Sequence, residues 1–206
     1  MKNCMLTQPP PFLPQKILIA CAFHAEMEIL KKHFEAPYRT LISGVGIENS
    51  ARGTLHSLEQ ERPGVLIFTG TSGIVDETVS VGEVLFPKQW CFRNGRCYGQ
   101  SILLLDYLKD FGYHPWGMGL TVNQPVLTRH DRDQLSRKTE ALVCDMESAS
   151  VLRVAAMIGV PAIALKVVSD RAESNIPDYR ESFASNMNLL AEYLNNLMKV
   201  LTGPAN

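Results

Sequence analysis

No stretch of the chain approaches the ~20 consecutive apolar residues that a membrane-spanning helix needs. The leading segment, MKNCMLTQPPPFLPQK, holds no apolar run of the length a secretory signal requires. Charge of one sign is missing too: 20 Lys and Arg stand against 21 Asp and Glu, for a net charge of −1. That balance excludes both the basic stripe of a nucleic-acid binder and the acidic block of a disordered tail. Cysteine is sparse, odd in number and without a CxxC pair: Cys4, Cys21, Cys91, Cys97 and Cys144. Cys21 and Cys144 lie in apolar runs and read as small core residues. This pattern favours a reduced, cytoplasmic protein over a disulfide scaffold. No His and Cys cluster has ligand spacing, so the sequence calls for no metal and no cofactor.

What is present is an ordinary apolar content, 46% of 206 residues, sufficient for one buried core. A single domain over residues 1–206 is expected, with residues 1–15 as a proline-rich extended lead-in. No repeat or linker divides it. Short apolar runs alternate with amphipathic stretches. Strands are predicted at 17–22, 41–42, 65–69, 84–86, 117–122, 141–144 and 161–168. Helices are predicted at 26–34, 48–58, 128–137, 146–158 (closed by Gly159) and 179–201. Residues 93–96 mark a hairpin turn, residues 70–73 a glycine-flanked turn, and 101–111 fits helix or strand equally. Runs buried on both faces and separated by helices indicate an α/β fold, a central mixed sheet with helices on both faces.

In such sheets ligands sit at the carboxyl ends of strands, and chemistry-bearing residues collect there. Glu26 follows the first strand, Thr71 and Ser72 follow the 65–69 run, Asp145 to Glu147 follow Cys144, and Ser169 and Asp170 follow Val168. Each also has a structural reading. Asp145 suits a helix N-cap, Glu147 and Glu26 suit a first helical turn, Asp170 suits a turn, and the glycines suit a tight connection. Their concentration at one sheet edge is more specific than any member.

Four segments then resemble the purine nucleoside phosphorylase and nucleosidase superfamily. ILIACAFHAEMEIL is similar to the first strand and loop of methylthioadenosine/adenosylhomocysteine nucleosidases, with Glu26 at the water-activating glutamate. SGVGIENSA is similar to the SGxGxxNA turn. VLIFTGTSGIVDETVSVGEVL is similar to the glycine-serine loop and the "VGD" segment, here Val81-Gly82-Glu83. VCDMESASVLRVAAMIGVPAIALKVVSDRAE is similar to the ribose-binding helix and the SD strand end. The resemblance implies that Glu147 and Met146 bind ribose hydroxyls. Asp170 protonates the purine at N7, Ser169 helps hold the base, and Pro125 and Val126 frame it. Thr71, Ser72 and Lys166 belong to the nucleophile or phosphate pocket. It also implies a homo-oligomer, dimer or larger, and a small-molecule nucleoside as the only partner.

The chemistry is consistent. Breaking an N-ribosidic bond builds oxocarbenium character on the sugar. A purine anion leaves poorly without a proton. A carboxylate beside the ribose offsets the ring charge, and another can activate water. Hexameric purine nucleoside phosphorylases hold phosphate with arginines whose places are taken here by Phe68 and the arginine-free FHAEME segment. This leans toward hydrolysis. Phosphorolysis, with phosphate as co-substrate, is the alternative, since Lys166 stands where the nucleosidases carry arginine. TVNQPVL and VCDMESASV resemble the hopanoid-associated phosphorylases, which act on a lipid-linked adenosyl group. A nucleoside-binding domain without turnover is the reading from another class, and it has no use for an acid at Asp170.

Overall fold

A computed structural model of the protein describes residues 12–172 and 176–203. Most of the lead-in lies outside the described residues, and Pro14–Lys16, expected to be extended, is a single 3-10 turn with proline at its first position. The strands are β1 (Ile17–Cys21), β2 (Arg39–Ile42), β3 (Val65–Phe68), β4 (Thr71–Ile74), β5 (Val84–Leu85), β6 (Gln89–Phe92), β7 (Cys97–Gly99), β8 (Met118–Thr121), β9 (Ala141–Asp145), β10 (Ala162–Ala164) and β11 (Lys166–Asp170). The helices are α1 (His24–His33), α2 (Ile47–Gln60), α3 (Ile102–Lys109), α4 (Arg129–Lys138), α5 (Ser148–Ile158) and α6 (Ile176–Thr202).

The strands form a parallel four-stranded sheet, β10-β3-β1-β2, and a mixed seven-stranded sheet, β5-β11-β4-β9-β8-β6-β7. The two are joined because β3 runs on into β4 while β10, beside it, runs on into β11. The joint is tied by Leu165 N–H to Phe68 O and Val167 N–H to Gly70 O, both 3.0 Å. The result is one curled mixed sheet. Two sequence readings are corrected here. Residues 161–168 are not one strand but two, in different sheets. The glycine segment 70–73 is not a turn but the start of β4, bent at Gly70, whose φ of +139° suits glycine.

Alternation in β1 and β3 explains the two-faced burial. Leu18, Ala20, Leu66 and Phe68 pack with Leu58 of α2 and Val151, Leu152 and Ala155 of α5. Ile17, Ile19, Val65 and Ile67 pack with Leu30 of α1, Leu104 and Leu108 of α3, and Leu190, Leu194 and Leu201 of α6. Every residue of these two strands is buried, hence their unbroken apolar sequence. At roughly 1.5–3 kcal/mol for each large apolar side chain buried, this double layer holds the strands in register. The ambiguous 101–111 segment is helical because Leu104 and Leu108, four apart, are its buried residues. Thr128 caps α4 by accepting from Asp131 N–H, and α5 ends at Gly159 with φ of +75°.

The 93–96 turn closes the β6–β7 hairpin, with Phe92 N–H donating to Arg96 O. Its register sets Cys91 directly opposite Cys97, and the two form a disulfide with Cα atoms 3.9 Å apart. The expectation of a chain without disulfides is therefore corrected at this hairpin. Cys21 and Cys144 are free and buried. No described helix is long and apolar enough to cross a membrane.

Candidate active site

The carboxyl ends of β1, β3, β8, β9 and β11 converge on a cavity of about 350 Å³, within the range of small-molecule sites. Nine of the ten residues singled out from the sequence border it: Glu26, Thr71, Ser72, Pro125, Val126, Met146, Glu147, Ser169 and Asp170. The tenth, Lys166, does not. Among the described residues that border it there is no Lys, Arg or His.

Glu26 lies in the first turn of α1 and is 1% exposed. Its Oε2 accepts from the amides of Ala22 (3.0 Å) and Phe23 (3.4 Å), and its Oε1 from the amide (2.9 Å) and hydroxyl (3.3 Å) of Thr71. Burial pushes this carboxyl up, while Lys166 and the amides of Thr71, Ala22 and Phe23 pull it back. Gly70 is required beside it: a Cβ there would lie 2.5 Å from Glu26 Oε1.

Glu147 stands at the bend between β9 and α5, 6% exposed. One oxygen accepts from Gly46 N–H at 2.8 Å, which the φ of +86° at Gly46 presents from the turn before α2. Burial, then the Asp145 charge, push its carboxyl up to about 7, against the pull of Lys166 and Gly46. Asp170 ends β11, held by the segment just before β5 through Val168 N–H to Glu83 O and Gly82 N–H to Val168 O. Its Oδ2 accepts from the Ser169 hydroxyl (2.6 Å) and its Oδ1 from Ala172 N–H (2.7 Å). Ala172 takes a left-handed φ of +49° to donate that bond, a conformation that costs about 1–2 kcal/mol in a residue with a Cβ. Gly73 leaves room opposite, since a Cβ there would sit 3.1 Å from Asp170 Oδ1.

Lys166 is 1% exposed. Its Nζ lies 3.2 Å from Asp145 Oδ2 and 4.2 Å from the centre of the Phe68 ring. Burial pulls its ammonium down, but the carboxylates of Asp145, Glu147 and Glu26 outweigh that and raise it. The lysine does not border the cavity and is paired with Asp145. Asp145 is the residue that sequence reasoning undervalued. It does cap the start of α5, accepting from Ser148 N–H at 3.0 Å, and it also accepts from Thr121 Oγ1 at 2.8 Å. Ala22, Phe23, Val45 and Cys144, none of them singled out beforehand, complete parts of the wall. Their only sequence signal is a place next to a strand end. No group of three His, Cys, Asp or Glu side chains among the described residues could hold a metal.

A family model described as the phosphorylase superfamily matches residues 101–202. Over that stretch the chain is similar to the superfamily. Among its curated relatives is the 5′-methylthioadenosine/S-adenosylhomocysteine nucleosidase of Lysinibacillus sphaericus, 25% identical over 78% of this chain and 89% of that one. The nucleosidase of the same description from Buchnera aphidicola is 20% identical over 77% of both chains. In three dimensions, the Helicobacter pylori 5′-methylthioadenosine/S-adenosylhomocysteine nucleosidase superposes with a TM-score of 0.80 at 18% identity, covering 90% of this chain and 98% of that one. Futalosine hydrolase of Helicobacter pylori superposes with a TM-score of 0.77 at 17% identity, covering 91% and 97%. These superpositions show that the chain shares the fold of those two proteins.

Proposed function

We propose that this protein hydrolyses the N-ribosidic bond of a purine nucleoside, with water as the nucleophile. The observation that carries the reading is the charge pattern of the cavity. Among the described residues Glu26, Asp145, Glu147 and Asp170 border it, no cationic side chain does, and the buried ammonium of Lys166 is committed to Asp145. A phosphate dianion brought into that enclosure would meet carboxylates and find no arginine fork. Water meets acceptors suited to it. The names of the relatives and structural neighbours, nucleosidases and a futalosine hydrolase, point the same way.

In this reading Asp170 gives a proton to N7 as the bond to C1′ breaks, so the base leaves neutral. Ser169 suits an acid at that position. Its single hydroxyl proton has two acceptors within reach, Asp170 Oδ2 at 2.6 Å and Ser72 O at 3.1 Å. A proton on Asp170 would donate to Ser169 Oγ and release the serine proton to Ser72 O, satisfying both contacts. Glu147 receives the ribose hydroxyls on its second oxygen, which has no hydrogen bond among the described residues. Its negative charge offsets the positive charge growing on the ring. Glu26 takes the proton from the attacking water. Three amides fix its carboxylate, and its side-chain contact, the Thr71 hydroxyl at 3.3 Å, is the one a water can replace. Pro125, Val126 and Met146 supply apolar wall for base and sugar. The protein works without a cofactor.

The test is product identity. Adenosine, methylthioadenosine, adenosylhomocysteine, inosine and futalosine are each incubated with and without phosphate. Free ribose product and free base, independent of phosphate, are the expected result. Ribose-1-phosphate as main product, with little turnover when phosphate is left out, would overturn the reading in favour of phosphorolysis.

A further inference from the structure

The reaction described above employs Glu26, Glu147 and Asp170 and leaves a buried ion pair beside the cavity without a task. Asp145 and Lys166 have side chains 1% exposed, and their charged atoms lie 3.2 Å apart. Burying such a pair costs more desolvation than a surface pair and seldom adds to stability over apolar residues of the same size. A reason for its presence has to be sought in what surrounds it.

The surroundings are specific. Asp145 and Glu147 flank Met146 on the bend that leads from β9 into α5. The Asp145 carboxylate is anchored from two further directions, by Thr121 Oγ1 on β8 and by Ser148 N–H at the head of α5. Thr121 Oγ1 is itself fixed, accepting from Ala149 N–H at 2.9 Å. Asp145 therefore cannot swing to a ligand. Lys166 is held against it with the Phe68 ring on its flank, and interacts with the charges of Glu147 and Glu26 as well. Glu147 is faced by Asp145 from β9, Lys166 from β11 and Glu26 from α1, and by the Gly46 amide ahead of α2. Asp170 borders the same cavity, and the buried residues of α2 carry no charge. Of all these groups only Lys166 is a cation. Three carboxylates share one ammonium inside a desolvated cluster.

We infer that Asp145 and Lys166 form a positioning pair that acts on the reaction through Glu147: the lysine sustains the negative charge of the glutamate beside the ribose, and the aspartate fixes the lysine where it can do so. The two members push Glu147 in opposite directions. Lys166 attracts its charge and Asp145 repels it, so their balance sets the pH above which the ribose carboxylate is ionised. The inference rests on the proposed ribose role of Glu147 for its catalytic meaning. Its electrostatic content can be measured without turnover.

The experiment is a titration of the Glu147 carboxyl carbon by NMR in the free protein labelled with 13C at the glutamate side-chain carboxyl, the signal assigned by its loss in Glu147→Gln. It is run on the native protein and on Asp145→Asn, Lys166→Met, Lys166→Arg and the double variant Asp145→Asn with Lys166→Met. Removing a like charge should move the midpoint down by about one pH unit, and removing the opposite charge should move it up by about one or more. Lys166→Arg keeps the charge and should stay close to the native value, and the double variant should return toward it. The acidic limb of the kcat/KM profile should move in the same directions. A merely structural pair would lower the amplitude of that profile and leave its midpoint in place. Asp145→Asn and Lys166→Met shifting the midpoint the same way, or neither shifting it, overturns the inference. Should Lys166→Met fail to fold, Asp145→Asn against Lys166→Arg still decides, because only the former is to move the midpoint. Absence of nucleoside turnover in every variant and in the native protein would refute the proposed function alone, and the titration would still judge the pair.

Discussion

Replacing Glu147 with glutamine removes a charge that the fold holds against its own preference. The carboxyl is 6% exposed, and burial with the adjacent Asp145 charge moves it from the ordinary 4.5 up to about 7. Each pH unit of that displacement corresponds to ~1.4 kcal/mol, so the ionised side chain destabilises the folded state by roughly 3 kcal/mol at pH 8. The sign follows from proton binding. Below the ordinary value both folded and unfolded chains hold the proton. Between there and about 7 the folded chain keeps it while the unfolded chain has lost it, so stability falls as pH rises through that window. Glutamine has no proton to lose, and its carbonyl oxygen can still accept from Gly46 N–H. In urea unfolding the variant should match the native protein to within ~1 kcal/mol near pH 5 and exceed it by roughly 3 kcal/mol at pH 8. In thermal unfolding that gain should appear as a rise in Tm of several degrees. Turnover should fall by ~100-fold or more, as for loss of a charge that stabilises the transition state, while free adenine still binds. Parallel stability curves for the two proteins across pH 5–8 would refute the reasoning. A less stable variant at pH 8 would do so too.

Asp170→Asn should lose at least ~100-fold in kcat, the usual contribution of a general acid, in protein whose circular dichroism and Tm are unchanged. Native-like turnover by that folded variant would remove Asp170 from the acid role. Gly70→Ala should lose both turnover and more than about 1 kcal/mol of stability, because the new Cβ would meet Glu26 Oε1 at 2.5 Å and the backbone φ is +139°. A Gly70→Ala protein with native kinetics would show that the Glu26 carboxylate is not held where the structure places it.

The strand ends were legible because two-sided burial leaves a plain mark: all of β1 and β3 is apolar, and Glu26, Thr71 and Ser72, a few residues beyond those runs, lie at the cavity. Residues 161–168 read as one strand because the bend at Leu165 needs no glycine or proline; it only follows its neighbour. The segment 70–73 read as a turn because glycines usually mean one. Here Gly70 and Gly73 are present because carboxylates come close to their Cα atoms, and that is a tertiary fact. Asp145 was seen as a helix cap, which it is. Its pairing with Lys166 depends on β9 and β11 flanking β4, an arrangement that local spacing does not encode. The Cys91–Cys97 bond was missed for lack of a register; only because Phe92 pairs with Arg96, leaving residues 93–95 as the loop, do Cys91 and Cys97 fall opposite each other.

The side-by-side bends of β3 into β4 and β10 into β11 limit how this protein can vary. Adding one residue to a strand turns its following side chains to the other face. An insertion between Phe68 and Thr71 would therefore turn Thr71 and Ser72 relative to Ser169 and Asp170, since β4 and β11 are neighbours in parallel register. An insertion at Leu165 would do the same to Asp170. Only matched insertions in both strands could preserve the constellation, and such coincidences are improbable as single genetic events. This part of the gene should accept exchanges of one residue for another and refuse changes in length, so that length variation is confined to outlying connections such as the β6–β7 turn.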